Sequence, residues 1–289
     1  MLLTLTDILS MAQRHSYAVL APDFFNLDFA QVLLDSALEK QAPLILSYCH
    51  TSYNTFELDD MDQCIGIVRD LCSQYTLPIA LHLDHAENIE TIHKYLDLGF
   101  SSVMIDASTH PFEENIRITQ QVVELARAYH ASVEAELGHV GNGSDYLIND
   151  PTAQALTNLE QVQEFIQRTH VDALAISIGT QHGFYKGTDG LHLDLLERIA
   201  NATSTPLVLH GTSGTDHVQL KKAVKKGIRK LNIFTELFAV YLQASDQVQP
   251  DNLEDIHRMN VARRNAIFSK LEIFYEISGS IGKAKDFSL

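Results

Sequence analysis

At 289 residues the chain is long enough for two average domains or for one β/α barrel, and no linker offers a place to divide it. Hydrophobic residues at 45% against 20% charged give a chain able to bury a large core, which excludes disorder away from the ends. A formal net charge of −16, from 21 Lys and Arg against 37 Asp and Glu, excludes nucleic acid and anionic membranes as partners of most of the surface.

No apolar run reaches the 18 or so residues of a membrane-spanning helix, so a membrane protein of that kind is not expected. Cys49, Cys64 and Cys72 form no CxxC pair, and an odd, unpatterned set of thiols points to a reduced, cytoplasmic setting.

The start of the chain alternates apolar residues with Thr6, Asp7, Gln13 and Arg14, the pattern of an amphipathic helix. Eight short β-rich runs follow, at Tyr17–Phe24, Pro43–Cys49, Pro78–His85, Ser102–Ser108, Ser132–Gly138, Ala173–Gly179, Pro206–Gly211 and Ile228–Phe234. Helix-patterned stretches such as FAQVLLDSALEKQ, NIETIHKYLDLG, EENIRITQQVVELARAYH and NLEQVQEFIQRTH lie between them. Eight βα units predict an α/β fold of the (β/α)8 TIM-barrel type. A doubly wound open sheet is the competing arrangement, but no GxGxxG follows the first strand, where that fold would use it. From Asp251 a long helical periodicity predicts a C-terminal helical extension, residues 251–289, packed outside one barrel domain spanning 1–289 or against a partner subunit.

Polar residues fall at the ends of these strands. Asp23 ends the first and His50 follows the second. His82, Asp84 and His85 end the third, Asp106 the fourth, and Glu134 and Glu136 the fifth. His182, His210 and Asn232 belong to the last three. In a parallel barrel those ends share one rim, so His85, His182 and His210 converge as the ligand set of an open catalytic zinc site, with Asp84 as an acid/base beside it. By strand alternation His82 and Asp84 share a face and His85 points another way. Asp84 and Asp106 are alternatively N-caps of the helices that follow. Glu134 and Glu136 share a face that would be costly to bury unpaired. Glu136, nearer the tip, suits a metal or a ligand-orienting role, and Glu134 a buried structural pair. HGTSG and LNIFTE place small residues, hydroxyls and N–H groups where barrels bind phosphate.

Taken in order, LHLDH, SVMIDAS, VEAELG, GTQHGFY, PLVLHGTSG and KLNIFTE resemble the class II, zinc-dependent ketose-bisphosphate aldolases, which act on fructose and tagatose bisphosphates. The resemblance runs from the first helix to about Lys283, and its ELGHVG segment is similar to a subgroup outside dedicated glycolytic enzymes. It implies that His85, His182 and His210 hold Zn2+ and that Asp84 moves the proton at the cleaved carbon–carbon bond. It further implies that Asp106 and Glu136 orient the ligands or hold the metal in an alternative position. Gly183, Gly211, Thr212, Ser213, Asn232, Ile233, Phe234 and Thr235 match the segments that bind dihydroxyacetone phosphate, with a monovalent cation (Na+ or K+) near the glycines. The implied partner is a small-molecule sugar phosphate, and the implied assembly a homodimer or homotetramer.

The chain departs from that family's pattern in three places. Pro22-Asp23 stands where Phe-Asn is common, which disfavours a phosphate close by. Ser144 stands where a loop glutamate would align, leaving Asp145 as a candidate proton carrier. Tyr48, His50 and Tyr53 replace smaller residues and reshape the aldehyde half of the pocket. Arg258, Arg263 and Arg264 are candidates for a second phosphate, with solvated positions as the alternative. The expected function is reversible cleavage of a ketose 1-phosphate or 1,6-bisphosphate. A sugar-phosphate-binding paralogue with reduced turnover and a metal-dependent hydrolase on the same barrel are the alternatives.

Overall fold

The computed structural model describes residues 2–50, 61–141, 155–184, 190–248 and 251–287. Eight parallel strands close into a barrel in sequence order. They are β1 (Val19–Pro22), β2 (Leu44–Cys49), β3 (Ile79–Ala86), β4 (Ser102–Ile105), β5 (Ser132–Leu137), β6 (Ala173–Ile176), β7 (Leu207–Leu209) and β8 (Ile228–Ile233). Closure comes from β1 pairing with β8, Val19 opposite Lys230 and Ala21 opposite Asn232. That register rules out the open sheet.

Several strands are shorter than their apolar runs predict, among them β1, with four residues, and β7, with three. The polar tip residues leave the hydrogen-bonded ladder there and line the rim instead.

Ten α-helices lie among the described residues: α1 (Leu5–Arg14), α2 (Leu27–Lys40), α3 (Met61–Cys72), α4 (Ile89–Asp97), α5 (Phe112–Arg127), α6 (Leu159–Thr169), α7 (Leu193–Ala202), α8 (His217–Lys226), α9 (Thr235–Asp246) and α10 (Leu253–Ser278). None is long and apolar enough to cross a membrane. Asparagine side chains cap α2, α4, α6 and α10 by accepting from first-turn N–H groups, the usual way to satisfy donors that have no partner within the helix.

The core has two layers. One fills the space between strands and outer helices. The other lies inside the barrel, where Val19, Ala21, Ile45, Ala80, Met104, Ala173, Ala175 and Val208 pack against Leu5, Ile8, Leu9 and Ala12 of α1. Those four are fully buried at the i, i+3, i+4, i+7 spacing of one helix face. Thr4 holds α1 in a capping box, Leu3 donates to Ile79 O, and Thr6 meets Ser132 at the start of β5. Thus α1 plugs the N-terminal end, and the interior opens only toward the C-terminal rim. The extension α10 packs on α2, α8 and α9, burying Ile267, Leu271, Phe274 and Tyr275.

Candidate functional site

At the C-terminal rim a cavity of about 550 Å³ is lined by Asp23, Cys49, Asp84, His85, Asp106, His182, His210 and the residues Gly211–Ser213 and Asn232–Thr235, among others. Local backbone geometry brings the histidines together. On β3, Leu83 lies opposite Val103 but Ala86 opposite Ile105, so one extra residue is bulged out. His85 sits at that bulge with φ +46°, a left-handed conformation rare for a side-chain-bearing residue. Strict alternation aims His85 away from Asp84; the bulge turns it back, so that consecutive residues serve one site. This corrects the alternation reading.

The ring of His85 then lies 4.8 Å from that of His182 and 4.6 Å from that of His210, centroid to centroid. His85 Nε2 is 2.9 Å from His210 Nδ1. The outward nitrogens of this pair are held by carboxylates: His85 Nδ1 by Asp106 Oδ2 at 2.9 Å, and His210 Nε2 by Glu134 Oε1 at 2.8 Å. His182 Nε2 is buried with no hydrogen-bond partner. Ligand nitrogens of the three histidines lie within 4.8 Å of one another. Three imidazoles sharing a focus, two of them anchored from behind by carboxylates, are the donor set that Zn2+ and similar ions take.

The sequence model of the family described as "Fructose-bisphosphate aldolase class-II" matches residues 3–283. The chain belongs to that family. It is 40% identical over 260 residues, 89% of its length and 90% of the relative's, to the D-tagatose-1,6-bisphosphate aldolase subunit GatY of Klebsiella oxytoca. A probable fructose-bisphosphate aldolase of Bacillus subtilis (strain 168) is 39% identical over 237 residues, 81% of this chain and 82% of that one. Among solved structures, the YdjI aldolase of Escherichia coli K12 superposes with a TM-score of 0.85 at 31% identity, covering 98% of this chain and 100% of that one.

In this class II aldolase Asp84 is almost fully buried, and Asn232 Nδ2 donates to its Oδ2 at 2.9 Å. Its Oδ1 lies 3.4 Å from His82 Nε2 and 3.7 Å from Lys230 Nζ. Burial pushes the carboxyl up, but the charges of His85, Lys230 and His210 outweigh it and hold Asp84 well below the ordinary carboxylate range. Neither Asp84 nor Asp106 caps a helix: α4 is capped by Asn88, and α5 follows Pro111 without a side-chain cap. Asp106 instead accepts from Ser108 and holds His85.

Glu136 shares a cluster with His85 and Asp106. Its Oε1 accepts from Val140 N–H while Oε2 is buried without a partner. Burial and the neighbouring Asp106 charge push its carboxyl up to about 8. Asp23 is also buried, and burial followed by the Asp84 charge raises it well above the usual value. His50 does not line the cavity; its Nδ1 meets Tyr95 Oη at 2.9 Å. Ser144, Asp145 and Tyr53 lie outside the described residues.

The β7 and β8 tips converge as their sequences suggest. Gly211, at φ +64°, has Gln181 backbone 2.3 Å from where a Cβ would stand, so only glycine lets the two loops meet. Thr212 Oγ1 donates to Asn232 O, and Glu236 N–H to Ser213 Oγ. Helix α9 begins here with no side-chain cap from Phe234, Ser213 taking the Glu236 N–H, and its N-terminus faces the cavity through Phe234 and Thr235, where the helix dipole favours an anion.

The rim motifs left one participant unidentified. Lys230 projects into the barrel beneath the site, fully buried, with Nζ 2.7 Å from Glu134 Oε2 and 3.1 Å from His82 Nε2. It does not line the cavity and its ammonium is engaged, so it is not placed to form a Schiff base with a substrate. Glu134 is therefore more than a structural pair: one oxygen holds Lys230 and the other His210. The alternation in IRKLNI carries the signal, because Lys230 and Asn232 must share the inward face.

Proposed function

We infer that the chain is a zinc-dependent aldolase that reversibly cleaves a ketose 1-phosphate or ketose 1,6-bisphosphate into dihydroxyacetone phosphate and an aldehyde. The observation that carries this reading is the convergence of His85, His182 and His210 beside the buried Asp84 on the C-terminal rim. His85, His182 and His210 would hold the ion, with Asp106 and Glu134 orienting two of them, and Asp106 with Glu136 offering an alternative position around His85. Zinc, when bound, supplies a Lewis acid for the negative charge that develops on the substrate's carbonyl oxygen.

The protein's own groups bind the substrate and move the proton at C4, while Asp145, which lies outside the described residues, is the candidate to deliver the proton that the dihydroxyacetone phosphate half takes up at C3 once the bond is broken. Asp84, with its Oδ2 fixed by Asn232, takes the C4 hydroxyl proton as the carbon–carbon bond breaks and returns it in condensation. Gly183, Gly211, Thr212, Ser213, Asn232, Ile233, Phe234 and Thr235 bind the dihydroxyacetone phosphate half. The N-terminus of α9 among them favours an anion despite the acidic chain. The same reading takes residues 1–289 as one barrel domain with α10 as its extension, acting in the cytoplasm as a homodimer or homotetramer. The free thiols of Cys49, Cys64 and Cys72 are consistent with that setting.

His182→Ala separates the metal from the fold. Because no protein group hydrogen-bonds to His182 Nε2, the substitution strands no buried partner. Removing a group behind a ligand typically weakens metal binding by about 10–100-fold, so losing the ligand itself is expected to cost at least about 100-fold. Competition with a zinc chelator, read alongside the unfolding temperature, checks this. Unchanged zinc affinity would remove His182 from the ligand set.

A further inference from the structure

The aldehyde end of the cavity contains a carboxyl group that the reaction as described does not use. Asp23 follows β1 with its N–H on Ile233 O and bridges to Ser47 within β2, and it lines the same cavity as Asp84. It is 8% exposed, and its Oδ1 is buried without a hydrogen-bond partner. The phosphate loops come from β7 and β8, and Asp84 acts at C4. Asp23 adjoins the β8 loop through Ile233, yet it lies close enough to Asp84 for the two charges to interact, so the wall made by Asp23 and Cys49 flanks C4, from which the aldehyde departs.

Among the described residues no lysine or arginine lines that wall. The described residues lining the cavity include four carboxylates, Asp23, Asp84, Glu87 and Asp106, and no Lys or Arg. The arginines of α10 are engaged elsewhere: Arg258 with Glu254 and Asp255, Arg263 with Ser245 and the Tyr241 ring, Arg264 with Asp35. The internal segments 51–60, 142–154 and 185–189 contain one basic residue, Lys186, against six acidic ones. A terminal phosphate would bring further negative charge among these carboxylates, whereas a neutral hydroxyl pairs with Asp23 in either of its protonation states. A site holding an orphaned polar group discriminates strongly for the ligand that satisfies it.

We propose that Asp23 is a specificity-determining residue that hydrogen-bonds a hydroxyl of a non-phosphorylated polyhydroxy aldehyde, so that the substrate is a ketose 1-phosphate rather than a 1,6-bisphosphate. This rests on the aldolase reading above.

Two measurements on the full-length, zinc-loaded protein and its Asp23→Asn and Asp23→Ala variants test it. The first is equilibrium binding of a hexitol 1-phosphate and a hexitol 1,6-bisphosphate, which lack the carbonyl and do not react. The second is condensation of dihydroxyacetone phosphate with glyceraldehyde or glyceraldehyde 3-phosphate. Wild type is expected to bind the monophosphate at least about tenfold more tightly and to favour the unphosphorylated aldehyde in kcat/KM by a similar factor. Both substitutions should lower that preference about tenfold while leaving KM for dihydroxyacetone phosphate unchanged. Equal or tighter binding of the bisphosphate by wild type, or a preference unmoved by either substitution, overturns the proposal. Selective monophosphate binding without condensation of either aldehyde instead overturns the aldolase reading, and the proposal with it.

Discussion

Asp84→Asn is expected to lower turnover by about 10²–10⁴, the range for losing a positioned general acid/base, while zinc remains bound. That factor corresponds to roughly 3–5 kcal/mol of barrier. Asp84 is fixed by Asn232 and surrounded by His82, His85 and Lys230, so an amide of the same shape keeps the packing and removes the charge and the proton acceptor. None of the three histidines is altered. Single-turnover cleavage measured alongside zinc content checks the result. A variant that keeps zinc and more than about a tenth of the wild-type rate would deny Asp84 its role.

Lys230→Met is expected to destabilise the protein by about 3–5 kcal/mol, the usual cost of removing one partner from a buried ion pair. Methionine fills much of the same space, so the loss is chiefly electrostatic. Glu134 is fully buried and keeps His210 as a partner but loses the ammonium 2.7 Å away. The linkage to pH has a definite sign. Burial raises the Glu134 carboxyl, yet Lys230 and His210 outweigh it and hold it at about 2 against an ordinary 4.5. A depressed carboxylate contributes stability above its unfolded value and loses it as pH falls toward the folded one. Wild type should therefore lose about 3 kcal/mol from this group between roughly pH 4.5 and pH 2. The variant should lose less over that window, because much of the contribution is already gone. Thermal unfolding is expected to drop by on the order of 10 °C at neutral pH. A Tm within about 2 °C of wild type would show that Lys230 does not carry the Glu134 charge.

Much of this architecture is legible in the residues. Alternating apolar runs and helical periodicities are repeated eight times, and burial in the two core layers enforces them. The rim positions follow because side chains at the C-terminal ends of the eight parallel strands share one common opening. His85 defeats period-two reasoning because a single bulged residue with φ +46° costs little in sequence signal yet reverses the direction of a side chain. Its partner Asp106 reads equally well as a helix cap until the ring of His85 is seen to occupy it. Lys230 is hidden for a different reason. A lysine in a barrel interior contradicts the ordinary cost of burying charge, and only the convergence of Glu134, His82 and Asp84 from other strands makes the position tolerable. The pattern of α1 shows which face is buried, but not that the face closes the barrel's far end.

The central claim is tested most directly by incubating the protein with a panel of ketose mono- and bisphosphates and assaying released dihydroxyacetone phosphate, before chelation, after chelation, and after zinc is restored. Release from some members that disappears with the chelator and returns with zinc is the predicted result. Zinc demonstrably bound with no release from any member, or release that persists without metal, would contradict it.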